Sequence, residues 1–124
     1  MRVLIADDEP LFAEALEVML LADGRVEVVG RAADGSQAVE LARRLEPDVV
    51  LMDLSMPVLD GFGATEQITG GPGDVRVLVL TGSEDPADVA KARHAGATGY
   101  LTKDRISEAL VDAILAAGSR RGRG

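Results

Sequence analysis

Acidic side chains follow two apolar segments and predict a cation site. The first segment runs into Asp7-Asp8-Glu9, and the apolar run "VVLM" ends in Asp53. If these segments are neighbouring strands, their carboxylates lie close together, and burying such charges without compensation is costly. A cluster of oxygen ligands that keeps some water suits Mg²⁺. We therefore predict that Asp7, Asp8 and Asp53 bind Mg²⁺.

Lys103 and Thr81 add groups that can handle a phosphoryl group. Lys103 follows the last β-rich run and is one of two lysines in the chain, whereas Lys91 falls on a predicted surface helix. A carboxylate beside Mg²⁺ and an ammonium group can attack phosphorus and form an aspartyl phosphate. The cation and Lys103 would neutralise the phosphoryl oxygens, and the Thr81 hydroxyl could donate to one of them. The predicted chemistry is phosphoryl transfer to Asp53.

Five β-rich apolar runs alternate with five helical patterns. The predicted strands cover Arg2–Ala6, Val26–Ala32, Asp48–Met52, Val75–Leu80 and Thr98–Leu101. This alternation is typical of an α/β, doubly wound parallel sheet with helices on both faces. Ligands of such sheets bind beyond the carboxyl ends of the strands, where the winding reverses. A strand order of 2-1-3-4-5 would make the first and third strands neighbours and bring the three acidic side chains together.

Polar caps and glycines bound the predicted helices. They are Asp8 or Glu9 with Pro10 before the first helix, Asp34 before the second, Asp60 before the third, Asp85 and Gly96 around the fourth, and Gly118 at the end of the last. The core face of the first helix is predicted to consist of Phe12, Leu16, Met19 and Leu20.

Composition limits the classes of function. The chain has 124 residues and is predicted to form one domain over residues 1–118, followed by a flexible basic tail over 119–124. A net charge of −8 disfavours nucleic acid as a direct partner. The absence of cysteine excludes disulfides and fits a cytoplasmic location. No signal peptide and no apolar stretch long enough to span a membrane is present, so we expect no membrane association.

Four motifs together resemble a known family. The segments "DDEP", "DLSMPVLDG", "VLTGS" and "AGATGYLTKD" occur in this order. They resemble the receiver domain of response regulators from bacterial two-component systems, most closely the NarL/FixJ (LuxR-type) group. The resemblance covers residues 2 to 117 and implies the flavodoxin-like fold, which agrees with the predicted sheet. Many receivers have a proline after the lysine, but Asp104 follows Lys103 here, so the resemblance leaves open whether that bond is cis.

The resemblance also implies roles for individual residues. Asp53 would be the phosphoacceptor, Asp8 a direct Mg²⁺ ligand and Asp7 a ligand through water. The backbone carbonyl of Ser55 would be the third protein ligand. Thr81 and Lys103 would contact the phosphoryl group. Thr81 and the aromatic residue Tyr100 would form the switch.

The function implied is a signalling switch rather than an enzyme, since the domain would catalyse only its own phosphorylation and dephosphorylation. A sensor histidine kinase would phosphorylate Asp53. The change would reach a surface around the fourth helix, the fifth strand and the fifth helix, and would control transcription through a DNA-binding domain absent from this sequence. The alternative is a stand-alone single-domain regulator that acts through protein–protein contacts.

Two other classes of function, one with similar chemistry and one on the same fold, are less consistent with the residues. A haloacid-dehalogenase-like phosphatase needs a second aspartate two positions after the nucleophile, where this chain has Ser55. Flavin binding needs a phosphate-binding loop after the first strand, and the Asp7-Asp8-Glu9 segment would repel a phosphate that had no cation.

A second apolar stripe flanks the core faces of the first and last helices. It consists of Leu11, Val18 and Leu21 in the first helix and of Val111 and Leu115 in the last. The favoured interpretation is a broad core contact in a domain poor in aromatic residues. The other interpretation is a homodimer surface built from these two helices, a mode that the resembled family uses.

Overall fold

The chain alternates strands and helices along its length in a computed structural model that describes residues 1–54, 61–71, 73–82 and 85–118. The elements are β1 (Arg2–Ala6), α1 (Pro10–Asp23), β2 (Glu27–Ala32), α2 (Gly35–Leu45), β3 (Val49–Asp53), α3 (Gly61–Thr69), β4 (Arg76–Thr81), α4 (Pro86–His94), β5 (Gly99–Thr102), a 3₁₀ turn (Lys103–Arg105) and α5 (Ile106–Gly118). All five predicted strands are confirmed within one residue at either end. The predicted tail over 119–124 lies outside the described residues.

The five strands form one parallel sheet in the predicted order β2-β1-β3-β4-β5. Because β1 lies between β2 and β3, the winding reverses between β1 and β3, which pair with Ala6 opposite Met52. In the next pair, Asp53 at the end of β3 lies opposite Leu80 of β4. The register therefore places the carboxyl ends of β1, β3 and β4 next to one another on the same side of the domain.

Two apolar layers hold the sheet between them. On one face, α1 and α5 contribute Leu16, Leu20, Leu110 and Ile114, which pack against Ile5, Leu51 and Leu80. On the other face, the smaller side chains of α2 and α3, such as Ala38, Ala42 and Ala64, pack against Leu4, Met52 and Val79. Strands β1 and β3 are covered on both faces, which explains why their sequences are almost continuously apolar.

Most predicted helix ends are confirmed. The Asp34 carboxylate accepts from the N–H of Gln37 (2.8 Å), and the Asp85 carboxylate accepts from the N–H of Ala87 (2.9 Å). These caps satisfy amide groups that have no partner in the first turn of a helix. Gly96 follows α4 with φ = +103°, a left-handed conformation that favours glycine. The predicted cap Asp60 lies outside the described residues.

The predicted cap of α1 is confirmed in position but not as a side-chain hydrogen bond. Glu9 occupies the N-cap position, but its side chain makes no capping hydrogen bond. Its own backbone N–H donates instead to Oδ1 of Asp7 (2.8 Å), two residues earlier. The turn before α1 is thus fixed by an acid of the candidate site, and Pro10 begins the helix as predicted.

The second apolar stripe of α1 faces solvent. The exposed fractions of Leu11, Val18 and Leu21 are 81%, 61% and 63%. The favoured prediction of a broad core contact is therefore wrong for these three residues, because the core stripe of α1 already covers its part of the sheet. On α5, Val111 and Leu115 are half-buried. No helix in the described ranges is both long and apolar enough to cross a membrane.

Candidate functional site

Three carboxylates meet at the carboxyl ends of the strands, at the point where the winding of the sheet reverses. Asp7 and Asp8 follow β1 directly, and Asp53 is the last residue of the adjacent strand β3. One carboxylate oxygen from each residue lies within 4.8 Å of the other two. Asp7 and Asp53 are buried, whereas Asp8 is exposed. The structure therefore brings together the acidic residues that the strand order had predicted to be neighbours.

The surroundings of Asp7 oppose the ionisation of its carboxyl group. Burial raises the pKa of its carboxyl to about 6, and the nearby charges of Asp53 and Asp8 raise it as well. The hydrogen bond from the Glu9 N–H and the charge of Lys103 act in the opposite direction and lower this pKa. Ionised Asp7 is thus destabilised where it lies, and a cation nearby would relieve that cost.

One carboxylate oxygen of Asp7 is available to bind such a cation. Its Oδ1 accepts from the Glu9 N–H, but its buried Oδ2 contacts no hydrogen-bond donor among the described residues. A buried carboxylate oxygen without a donor, close to two further carboxylates, is the donor set that a hard divalent cation prefers. A cavity of about 230 Å³ opens beside Asp7 and Asp8 on the side of Arg31 and Gln37, and its lining does not include Asp53.

Lys103 supplies the opposing positive charge. It begins the 3₁₀ turn after β5, and its Nζ lies 3.5 Å from Oδ2 of Asp53. Its Nζ also lies 4.7 Å from the centroid of the Phe12 ring, so that α1 contributes a wall of the site. The Lys103–Asp104 bond is trans. The structure thus brings the Lys103 ammonium group together with a carboxylate of the acidic cluster.

Thr81 and Tyr100 occupy different surroundings. Thr81 ends β4, is buried, and lies one residue beyond the partner of Asp53 in the sheet register. Tyr100 lies on the edge strand β5 opposite Val79, and its exposed fraction is 38%. Thr81 therefore lies at the strand ends that carry the site. Tyr100 lies two residues before that level, on a strand that borders solvent. The predicted ligand Ser55 lies outside the described residues.

Gly61 is a residue of the site that the sequence analysis did not single out. A Cβ at this position would collide with the backbone carbonyl of Asp53 and approach Cα of Leu54 to 2.6 Å. The N–H of Gly61 donates to the carbonyl of Leu54 (3.3 Å). The start of α3 thus packs directly on the backbone that carries Asp53. The dipeptide "DG" that ends the motif "DLSMPVLDG" was the available signal.

The family of the chain follows from comparison with known proteins. The model of the response regulator receiver domain matches residues 3–115, and the chain belongs to this family. It is 40% identical to the transcriptional regulatory protein LnrK of Bacillus subtilis over 114 residues. The aligned segment covers 92% of this chain and 52% of that protein. The chain thus spans about half the length of the curated relatives that it matches. The predicted receiver-domain family is confirmed.

Solved structures agree with this assignment. The signal receiver domain of the putative response regulator NarL from Mycobacterium tuberculosis has a TM-score of 0.92 and 38% identity, with 97% of each chain covered. The receiver domain of the sensor histidine kinase PA1611 from Pseudomonas aeruginosa, with a magnesium ion coordinated in its active site cleft, has a TM-score of 0.85 and 32% identity, with 95% of this chain and 97% of that chain covered. The predicted fold class is confirmed.

Proposed function

We propose that this receiver domain is a switch controlled by phosphorylation of Asp53. The observation that carries the proposal is the position of that carboxylate, buried at the end of β3 between two further acids and the ammonium group of Lys103. The phosphoryl donor would be the phosphohistidine of a sensor histidine kinase or a small acyl phosphate. Receiver domains are signalling domains, and slow loss of the phosphoryl group from Asp53 would reset this one.

The transfer itself requires little beyond orientation and charge. An oxygen of Asp53 forms a bond to phosphorus while the bond from phosphorus to the donor breaks, and the bonding electron pair leaves with the donor. Lys103 stands close enough to Asp53 to balance charge on the incoming oxygens. Thr81, buried at the end of the neighbouring strand, would donate its hydroxyl to another of those oxygens.

The residues also fit a Mg²⁺ site. Asp7, Asp8 and Asp53 would hold the ion, with the backbone carbonyl of Ser55 as a further ligand. The support is the buried Asp7 Oδ2, which contacts no donor in the described part of the chain, together with the magnesium ion in the related PA1611 receiver domain. Bound Mg²⁺ supplies positive charge for the phosphoryl oxygens.

The surface that responds would be formed by α4, β5 and α5. Helix α4 is lightly held, since Ala92 is its one buried residue. Its C-terminal end is fastened to α3 where the Thr69 hydroxyl donates to the Ala95 carbonyl (2.8 Å). Its N-terminal end follows Thr81 by only a few residues. A movement of Thr81 toward the phosphoryl group would therefore displace the near end of α4 and alter the surroundings of Tyr100, for which a coupling of about 1–3 kcal/mol suffices.

The output would lie outside the domain. Because the chain spans about half of its transcription-factor relatives, we propose that phosphorylation controls transcription through a DNA-binding domain elsewhere in the full protein. The net charge of −8 disfavours direct DNA contacts by the receiver itself. The exposed stripe of Leu11, Val18 and Leu21 on α1 supports a homodimer formed through α1 and α5.

Amide chemical shifts test the switch. Beryllofluoride, a phosphoryl mimic, added with Mg²⁺ should shift the amide signals of Asp53, Thr81 and Tyr100 in the parent protein. Asp53→Ala should abolish these shifts, whereas Asp112→Ala, a change of an exposed acid on α5, should leave them intact. A parent spectrum that does not respond would count against the proposed function.

A further inference from the structure

We propose that Phe12 is a positioning residue for Lys103, holding its ammonium group in the direction of Asp53. The inference rests on the proposed function, because it concerns the charge that faces the phosphoryl group. Within the described part of the chain, the ammonium group of Lys103 contacts both the Phe12 ring, at 4.7 Å, and Oδ2 of Asp53, at 3.5 Å. From its spacing in the sequence, Phe12 is predicted only to lie on the core face of α1.

Lys103 needs such a contact because the ion pair does not fix its direction. The distance of 3.5 Å to Oδ2 of Asp53 is longer than a good N–H···O hydrogen bond. The side chain is 31% exposed, and a lysine has a long flexible stem with many rotamers. A rotation of that stem would carry the ammonium group into solvent without breaking any short directional bond to the acid.

Phe12 is suited to restrict this rotation. It lies in the first turn of α1, just after Asp7 and Asp8, and therefore at the same edge of the sheet as the acids. Its half-buried ring packs against the apolar layer that contains Leu16. One side of the ring is thus anchored, and the face that Lys103 covers attracts a cation through the quadrupole of the π-system.

The chain contains a matched pair that serves as an internal control. It has two lysines and two phenylalanines, and each ammonium group lies over one ring. Nζ of Lys91 lies 4.4 Å from the Phe62 centroid, a contact between α4 and α3 that includes none of the three site carboxylates. Removal of either ring should therefore affect only the lysine above it.

Lysine-selective labelling makes this comparison directly, because only two side-chain signals arise. In the parent protein, the ε-CH₂ protons of both lysines should be shifted upfield by the ring currents. Phe12→Leu should return the Lys103 signal toward that of a free lysine while the Lys91 signal stays in place, and Phe62→Leu should do the reverse. The undisturbed second lysine also shows that each variant is folded. If Phe12→Leu does not fold, Phe12→Met, which keeps a long apolar side chain without a ring, replaces it.

The functional readout is the rate of phosphorylation by acetyl phosphate with Mg²⁺. Phe12→Leu should lower this rate by about threefold to tenfold, the range that a partly desolvated cation–π contact represents. Phe12→Tyr, which keeps the ring, should restore it. Phe62→Leu should leave the rate within about twofold of the parent, since the ammonium group above that ring is Lys91 and not Lys103.

The outcomes separate the inference from the function on which it rests. A parent protein that accepts no phosphoryl group would overturn the proposed function itself. A phosphorylated parent with an unchanged rate in Phe12→Leu would overturn only the role of Phe12. That role would also be overturned if the rate fell while the Lys103 signal stayed in place, because Phe12 would then act by some route other than the lysine.

Discussion

At the scale of single residues, the site combines acids that the fold makes costly with one lysine that offsets them. Asp7 and Asp53 are buried, and Lys103 Nζ lies 3.5 Å from Asp53. Such a cluster is unfavourable in isolation, and a bound cation would offset part of its cost. The acids proposed to bind the cation are therefore expected to reduce the stability of the free domain.

Asp7 gives this idea a measurable pH dependence. Its pKa is about 6 in the folded protein against an ordinary aspartate value of 3.8, so the folded state binds the proton more tightly than the unfolded state does. Stability without metal should fall as the pH rises from about 4 through about 6, by about 1–3 kcal/mol for this group. Above that window the loss is complete.

The test compares the parent with Asp7→Asn by urea unfolding in the presence of a chelator. The unfolding free energy of the parent minus that of the variant should decrease between about pH 4 and pH 7, since the other titrating groups are shared. A difference that does not vary with pH would show that Asp7 is not perturbed by its surroundings.

At the scale of elements, the sequence predicted what depends on local pattern. The apolar runs gave each strand within one residue, and Asp34, Asp85 and Gly96 marked helix ends that the structure confirms. These signals are local, because a cap or a strand needs only its immediate neighbours. The convergence of the acids was also predictable, since parallel neighbouring strands end at one edge.

The errors concern contacts between elements. The cap of α1 was predictable only in position, because whether the Glu9 side chain reaches the first-turn amides depends on the path of the chain after β1. The stripe of Leu11 and Val18 was assigned to the core because helical spacing identifies an apolar face but not what covers it. Phe12 was recognised as apolar, but its contact with Lys103 joins residues far apart in the sequence.

Gly61 provides a prediction about how α3 meets the site. Gly61→Ala should lower the unfolding free energy by about 1–3 kcal/mol, because its Cβ would collide with the Asp53 backbone. Gly82→Ala is the control, since a Cβ there meets no atom of the described residues within 4 Å, and its effect should stay below about 0.5 kcal/mol. Chemical denaturation of both variants measures the two values. Equal stability of the two variants would rule out the close packing of α3 on β3.

At the scale of the whole molecule, the domain has a partly buried acidic site at the carboxyl ends of its strands and an exposed apolar stripe on α1. The chain spans about half of its relatives, so this stripe and the α4–β5–α5 surface are the surfaces proposed to communicate with other domains or copies. A regulator of this kind needs only a modest shift in population between two arrangements.

The proposed homodimer is tested by sedimentation. The phosphorylated parent should sediment as a dimer at high concentration, and Val18→Asp or Leu21→Asp should keep it monomeric, because a charge would have to be buried in the apolar contact. Ala90→Asp, an exposed position on α4, should leave the dimer intact. A parent that remains monomeric with and without the phosphoryl group would rule out the dimer.

The central claim is that the buried carboxylate of Asp53 accepts a phosphoryl group, and intact mass spectrometry tests it most directly. After incubation with acetyl phosphate and Mg²⁺, the parent should gain the mass of one phosphoryl group, and Asp53→Asn should gain none. A parent mass that stays unchanged, or an equal gain in Asp53→Asn, would contradict the claim.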